Sequence, residues 1–407
     1  MIYVALLYFF IMANGPFLFG VSRLGFYYVS IIPVILLGLF QLIKAKISLD
    51  FNFIIIYTVF IISMLLSEFY ADSKQPSYQV YHWATWLNVI SFFSMIILYQ
   101  IEKFRKYSLL LVTYGGFVIS LLTISRYLAN KTYYTISRGI EFTDPNYMGV
   151  AVAMSTVVAF NLLVLQQKPS WNKSFYVAGL LINIGAIIIL SSRGSLLSVG
   201  VSVLCCILFT LFLGSGNKSK DVCYIKNSIT VLLIVFCCFL INGKISMLDT
   251  NIMSSRINST LKSGDTANRT EITSYAMESY FEQPIMNKLF GNGTGMGQVI
   301  IARYISTIST YYSRVDAHNS FVTMLLDYGL LGLISWLCLV GYSLMSILRR
   351  GKQRVVLLGL WVCVVMASLS LSVFMYGYVW FAFALIVVVP TNESVIDGIS
   401  LHDRGTR

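Results

Sequence analysis

The chain has 407 residues, of which 57% are hydrophobic and only 11% charged, and it carries a formal net charge of +12. A soluble domain carries about 25% charged residues, so this chain lacks the polar side chains to cover a soluble surface. In a membrane protein an excess of basic residues reports orientation first, which removes nucleic-acid binding as the default explanation of the charge.

The apolar residues fall in runs of about 20, the length that crosses a bilayer core. They predict spans at 2–20, 25–43, 51–69, 83–100, 108–128, 146–167, 175–191, 195–213, 228–243, 319–348, 355–374 and 376–391. The expected fold is therefore an all-α polytopic membrane protein with about 12 transmembrane helices. The first run, Ile2 to Gly20, has no basic stretch ahead of it and no evident cleavage site, so it reads as a retained helix rather than a signal peptide.

The connections alternate in charge. Lys44 and Lys46, then Lys103, Arg105 and Lys106, then Lys168 and Lys173, then Lys218, Lys220 and Lys226, then Arg349, Arg350, Lys352 and Arg354 occupy every second loop. The positive-inside rule assigns these loops, and with them both termini, to the cytoplasm. The opposite loops face outward, and one of them, 244–318, is far longer than the rest. The chain divides accordingly into nine membrane helices (1–243), a large extracytoplasmic loop (244–318), three further helices (319–391) and a cytoplasmic tail (392–407). Of the seven cysteines, all but Cys223 lie in apolar runs; none has metal-site spacing and none falls in an outer loop. No disulfide framework or metal centre is expected.

Several outer-side segments hold polar residues that a membrane protein does not place idly. Asp144-Pro145-Asn146 opens the sixth span as a helix cap followed by proline at the first helical position. Arg138, Glu141 and Asp144 can line a polar vestibule there. Ser191-Ser192-Arg193-Gly194-Ser195 joins two long apolar runs by a tight turn, so Arg193 sits at or just inside the interface, where an ionisable group is costly. Either it snorkels to water or it meets an anion, and guanidinium suits phosphate. Arg269 begins a helix in the large loop, where the helix dipole disfavours a cation. An anion shared with the free N–H groups would resolve that conflict. Gly291-Asn292-Gly293-Thr294-Gly295-Met296-Gly297 is spelled somewhat like a dinucleotide loop but has no strand–turn–helix context, and reads as a flexible turn. His318, in Asp316-Ala317-His318-Asn319-Ser320, opens a run of 30 residues, a helix of about 45 Å whose first turns project at the outer face. Histidine can accept a proton from a hydroxyl near neutral pH. His82, beside Trp83 and Trp86, reads as part of an aromatic interface belt, and His402 as incidental.

In order along the chain, the sequence reads Asp-Pro-Asn before a span, Ser-Arg-Gly between two spans and then the large loop. The loop holds Asn268-Arg269, Pro284, Phe290-Gly291-Asn292-Gly293 and Ala317-His318-Asn319-Ser320-Phe321, and is followed by Asp327-Tyr328-Gly329-Leu330-Leu331-Gly332. This series resembles the O-antigen polymerase and ligase superfamily over roughly residues 138–335. The resemblance implies a glycosyltransferase of the GT-C type in the bacterial inner membrane. Such an enzyme takes glycan from undecaprenyl pyrophosphate and passes it to an acceptor hydroxyl with inversion, without nucleotide sugar, metal or other cofactor. Arg193 and Arg269 match arginine positions that would bind the pyrophosphate, and His318 matches the histidine that would orient or deprotonate the acceptor. Arg138, Asp144, Asn146, Asn319, Arg314 and Tyr376 are further candidates for substrate contacts. Ligases of the family tend to carry an acidic residue in the last outer turn. Here that turn, Ser372 to Tyr378, has no carboxylate.

The reading favoured at this point is a polymerase that moves a growing O-antigen or capsule glycan onto a new lipid-linked repeat unit. Its expected partners are the lipid-linked glycan, membrane lipids and, by analogy, a chain-length regulator. The alternative is a ligase passing finished glycan to lipid A core. A flippase or transporter is the reading from another class. Against it, no pair of similar halves is visible, and the strong polar signals gather at one face.

Overall fold

The computed structural model describes residues 23–44, 49–129, 144–165, 171–213, 218–245, 258, 269–308, 315–349 and 354–388. In chain order the helices are α1 (Arg23–Lys44), α2 (Phe51–Glu68), α3 (Pro76–Tyr99), α4 (Glu102–Ala129), α5 (Pro145–Leu165), α6 (Trp171–Leu190), α7 (Arg193–Leu213) and α8 (Lys218–Ile245). The large loop then contributes α9 (Arg269–Phe281), α10 (Ile285–Phe290) and α11 (Met296–Ile308). The chain returns through α12 (Ser320–Leu348), α13 (Arg354–Ser370), a 3₁₀ turn at Val373–Met375 and α14 (Gly377–Val387). No strand occurs among the described residues. Apolar runs of this length become helices because, in hydrocarbon, each backbone polar group must find its partner within its own segment. Seven of the helices are long and apolar enough to cross a membrane. The protein is an all-α polytopic membrane protein. The expected span 2–20 and the tail lie outside the described residues.

α5 is the axis of the bundle. Its residues from Tyr147 to Val164 are buried, and it packs against α4, α6, α7 and α13. Small residues such as Gly149, Ala151, Ala153 and Ser155 let the neighbouring backbones approach. Polar side chains fasten the contact: Ser120 Oγ donates to Asn183 Oδ1 at 2.8 Å, and Asn183 Nδ2 donates to Ser155 Oγ at 3.0 Å. Around this axis α7 packs on α13, α1 on α3, and α2 on α12. At one end of the bundle Arg349, just after α12, lies 3.8 Å from Asp50, the cap of α2.

At the opposite end two sequence readings need correction. The 30-residue run is not one continuous helix, because α12 is kinked at Gly329 (φ 68°). A Cβ there would strike the backbone of Leu289 and Gly291, and only glycine takes this left-handed conformation without strain. The carbonyls that the kink releases are met by the segment after α10. Asn292 N and Gly293 N donate to Asp327 O at 3.0 and 2.9 Å, and Asn292 Nδ2 donates to Leu326 O at 2.8 Å. The Asp327 carboxylate in turn accepts from Gly295 N at 2.9 Å and Gly297 N at 2.6 Å. The glycine-rich segment is therefore a buried clasp around Asp327, not a flexible turn. Its glycines permit the close backbone approach. α9 and α11 complete the cap by burying Ala276, Tyr280, Ile301 and Ile305 against Val322 and Leu326 of α12.

Candidate functional site

Four separate stretches of chain meet at this end of the bundle. The first is the hairpin before α7. Ser191 turns it in a left-handed conformation (φ 50°), and the Oγ atoms of Ser192 and Ser195 lie 2.8 Å apart. Gly149 of α5 has no room for a side chain because Ser192 and Ser195 lie against it, and Gly194 abuts Ser370. Arg193, partly buried, is thus held between the start of α5 and the end of α13.

The second stretch is the start of α9. Arg269 Nη1 donates to the Ser370 carbonyl at 3.0 Å, which brings it to the same corner as Arg193. Burial lowers the affinity of the Arg269 guanidinium for its proton. The positive charge of Arg193 lowers it further, while Asp144, Tyr147 and Asp316 act in the opposite sense. Arginine stays charged through such a shift. Two partly buried cations within electrostatic reach of each other form a place where an added anion is stabilised.

The third stretch is Val315–Asn319. His318 has a left-handed backbone (φ 49°). It and Ser191 are the two non-glycine residues with positive φ among the described residues. Such strain collects at functional positions, where the surroundings hold it in place. His318 Nδ1 is buried without a hydrogen-bond partner, and it lies 3.8 Å from Asp316 Oδ2. The side chain keeps 29% exposure, which belongs to its other atoms. Asn319 plays a structural part, since its Oδ1 accepts from Phe321 N at 2.9 Å and Val322 N at 3.3 Å and so caps α12.

The residue that sequence reasoning passed over is Asp316. Its Oδ1 accepts from the backbone N–H of His318 at 3.1 Å and from Ser372 Oγ at 2.5 Å. Its Oδ2 accepts from Tyr147 OH at 3.0 Å. One carboxylate thus ties the His318 loop to α5 and to the fourth stretch, the turn at 370–376. That turn is fixed to the start of α12 by Ser320 Oγ donating to Leu371 O at 2.8 Å and by Val373 N donating to Ser320 Oγ at 2.9 Å. The turn at 370–376 has no carboxylate of its own and is bonded to that of Asp316. Tyr376 stacks on Tyr147 with ring centroids 4.2 Å apart, forming an aromatic wall. Asp144 Oδ1 accepts from Asn146 N at 2.7 Å as the cap of α5, and Asn146 is partly buried beside it. Arg138 and Arg314 lie outside the described residues.

His82 belongs to a second group on the same end. Its Nδ1 is 3.3 Å from Glu68 Oε2, and its ring lies 4.6 Å from that of Tyr78. Thr294 of the glycine clasp donates to Glu68 Oε1 at 2.6 Å. More than an aromatic belt, this group fastens the clasp to α2 and α3. Among the described residues no three histidine, cysteine or carboxylate side chains are grouped as a metal site would need.

The site thus offers two cations for an anion, an imidazole beside a carboxylate, and an aromatic wall. Residues 178–337 match the family model Wzy_C, described as O-antigen ligase. The match contains Arg193, Arg269, Asp316 and His318, and leaves Asp144, Tyr147 and the turn at 370–376 outside it. No curated protein matches the sequence.

Proposed function

Because this chain is a member of the O-antigen polymerase and ligase superfamily over residues 178–337, we propose that it transfers glycan from a lipid-linked diphosphate to an acceptor hydroxyl, as a polysaccharide polymerase. The convergence of Arg193 and Arg269 from separate elements onto the Ser370 corner carries this reading. The departing diphosphate gains negative charge as the bond to the sugar breaks, and preorganised guanidinium donors stabilise that charge without reorganising. His318 takes the proton of the acceptor hydroxyl. The acceptor oxygen forms the new bond to the anomeric carbon, and the diphosphate leaves with the electron pair of the old one. Direct displacement inverts that carbon. Asp316 steadies the histidine loop and favours the positive charge the imidazole acquires. The stacked Tyr147 and Tyr376 offer a flat apolar face to a sugar ring.

A ligase acting on the same donor is the second reading, favoured by the description of the matched family. The two separate on a gel of surface polysaccharide from a deletion strain complemented with the wild-type chain or with His318→Ala. In a polymerase mutant the long ladder disappears while single repeat units stay attached. In a ligase mutant all attached glycan disappears and polymer accumulates on its carrier. An unchanged ladder in the deletion strain sinks both and returns a transport function to consideration.

A further inference from the structure

The short helix α10 is built inside out. Ile285, Met286 and Leu289 are exposed (65%, 51% and 38%), as is Phe281 (65%) at the end of α9. The polar Asn287 is instead turned inward, where its Nδ2 donates to Asn292 Oδ1 at 2.8 Å. A helix lying on a water-facing loop shows the opposite arrangement, and a contiguous apolar patch of this kind marks a contact surface.

Two exposed stripes of the membrane helices run toward this patch. On α2, Ile55, Val59, Ile62 and Leu65, with Phe69 at its C-cap, are exposed at helical spacing, on a helix that has the length and composition of a membrane span. The next residue, Tyr70, stacks on Phe290 at the end of α10, with centroids 6.4 Å apart and ring planes 2° from parallel. On α12 the exposed stripe of Leu330, Ile334 and Leu337 starts right after the kink, where Gly329 meets the backbone of Leu289. The lipid-facing surfaces of both helices therefore continue into the outward face of α10.

We propose that α10 is seated in the bilayer interface, and that its occupant is lipid. The large loop then does not stand free of the membrane but rests one short helix in the leaflet surrounding α2 and α12. The charged groups of this region, Glu282 and Lys288, set the depth. Full insertion would strip water from the exposed Glu282 carboxylate, whereas the headgroup boundary accommodates a carboxylate and an ammonium beside buried apolar side chains. This seat is independent of the reaction catalysed. It is linked to the site through Asn292, which joins α10 to Leu326 and Asp327 of α12, the helix that follows His318.

The test places a photoreactive p-benzoylphenylalanine at position 286 of the full chain in vesicles of phosphatidylethanolamine and phosphatidylglycerol. Leu65 serves as the lipid-facing control and the exposed Thr307 of α11 as the solvent control. After illumination the expected result is a mass increase of one phospholipid on the chain labelled at 286 or 65, and none at 307. The same probe at 285 repeats the measurement should the first variant fold poorly. Lipid adducts at 65 but at neither 285 nor 286 would overturn the proposal. So would chain-to-chain crosslinks at 286 in place of lipid, which would make the patch an interface between copies.

Discussion

At the scale of single residues, the site brings the guanidinium groups of Arg193 and Arg269 within electrostatic reach of each other. Replacing Arg193 or Arg269 by lysine keeps the charge and removes the planar fork that grips phosphate with two parallel bonds. Each lysine variant is expected to retain part of the transfer rate, and each alanine variant to lose it. The double alanine variant should cost less than the product of the two single losses, because the pair acts on one anion. A rate assay with purified lipid-linked donor checks this, and additive losses would show that the arginines work apart. His318→Ala should lower turnover by about 10² to 10⁴-fold, the usual contribution of a general base. Asp316→Asn keeps the size of the side chain and removes its charge. It should lower turnover while leaving the donor concentration needed for half-maximal rate near that of the wild type. If donor affinity falls instead and turnover holds, Asp316 belongs to the arginine side of the site. Arg193 and His318 stand out in the sequence as candidates because each lies at the end of an apolar run, and Arg269 because it opens a helix in the large loop. Asp316 does not, since a carboxylate in a polar loop looks solvated. Its partners Tyr147 and Ser372 lie 169 and 56 residues away.

At the scale of elements, the start of α12 carries both the cap that sets His318 and the kink that sets the loop. Asn319→Ala removes the cap and should destabilise the helix start by about 1 kcal/mol. Transfer should fall with it, because the histidine precedes the cap directly. Gly329→Ala forces a Cβ onto the backbone of Leu289 and Gly291 in a conformation that alanine resists, and should cost more than about 1 kcal/mol. Thermal unfolding in detergent measures both changes, and an unshifted midpoint for Gly329→Ala would mean that the clasp yields easily. Most helices could be read from hydropathy alone, within a few residues. The kink could not, since glycine is ordinary within a membrane helix and the apolar run continues across it. The role of the Gly291–Gly297 segment was equally hidden, because its partner Asp327 lies some 30 residues further on and reads as an isolated acid in an apolar run.

At the scale of the whole molecule, basic loops and the candidate site occupy opposite ends of the bundle. If the positive-inside rule holds, reporter fusions after Lys106 and Arg350 should report a cytoplasmic position, and a fusion within the large loop an external one. The reverse pattern would move the site to the cytoplasmic face and overturn the expectation of an extracytoplasmic large loop. The way the site is assembled also has a consequence for its synthesis. Arg193, Arg269 and His318 all precede residue 320, yet the Ser370 carbonyl that receives Arg269 ends α13, and the Ser372 hydroxyl that bonds Asp316 lies in the turn after it. A nascent chain whose first helices are already in the membrane would hold its arginines and histidine without the support that orients them. On the proposed function, the chain would remain inert until the final helical hairpin had been inserted.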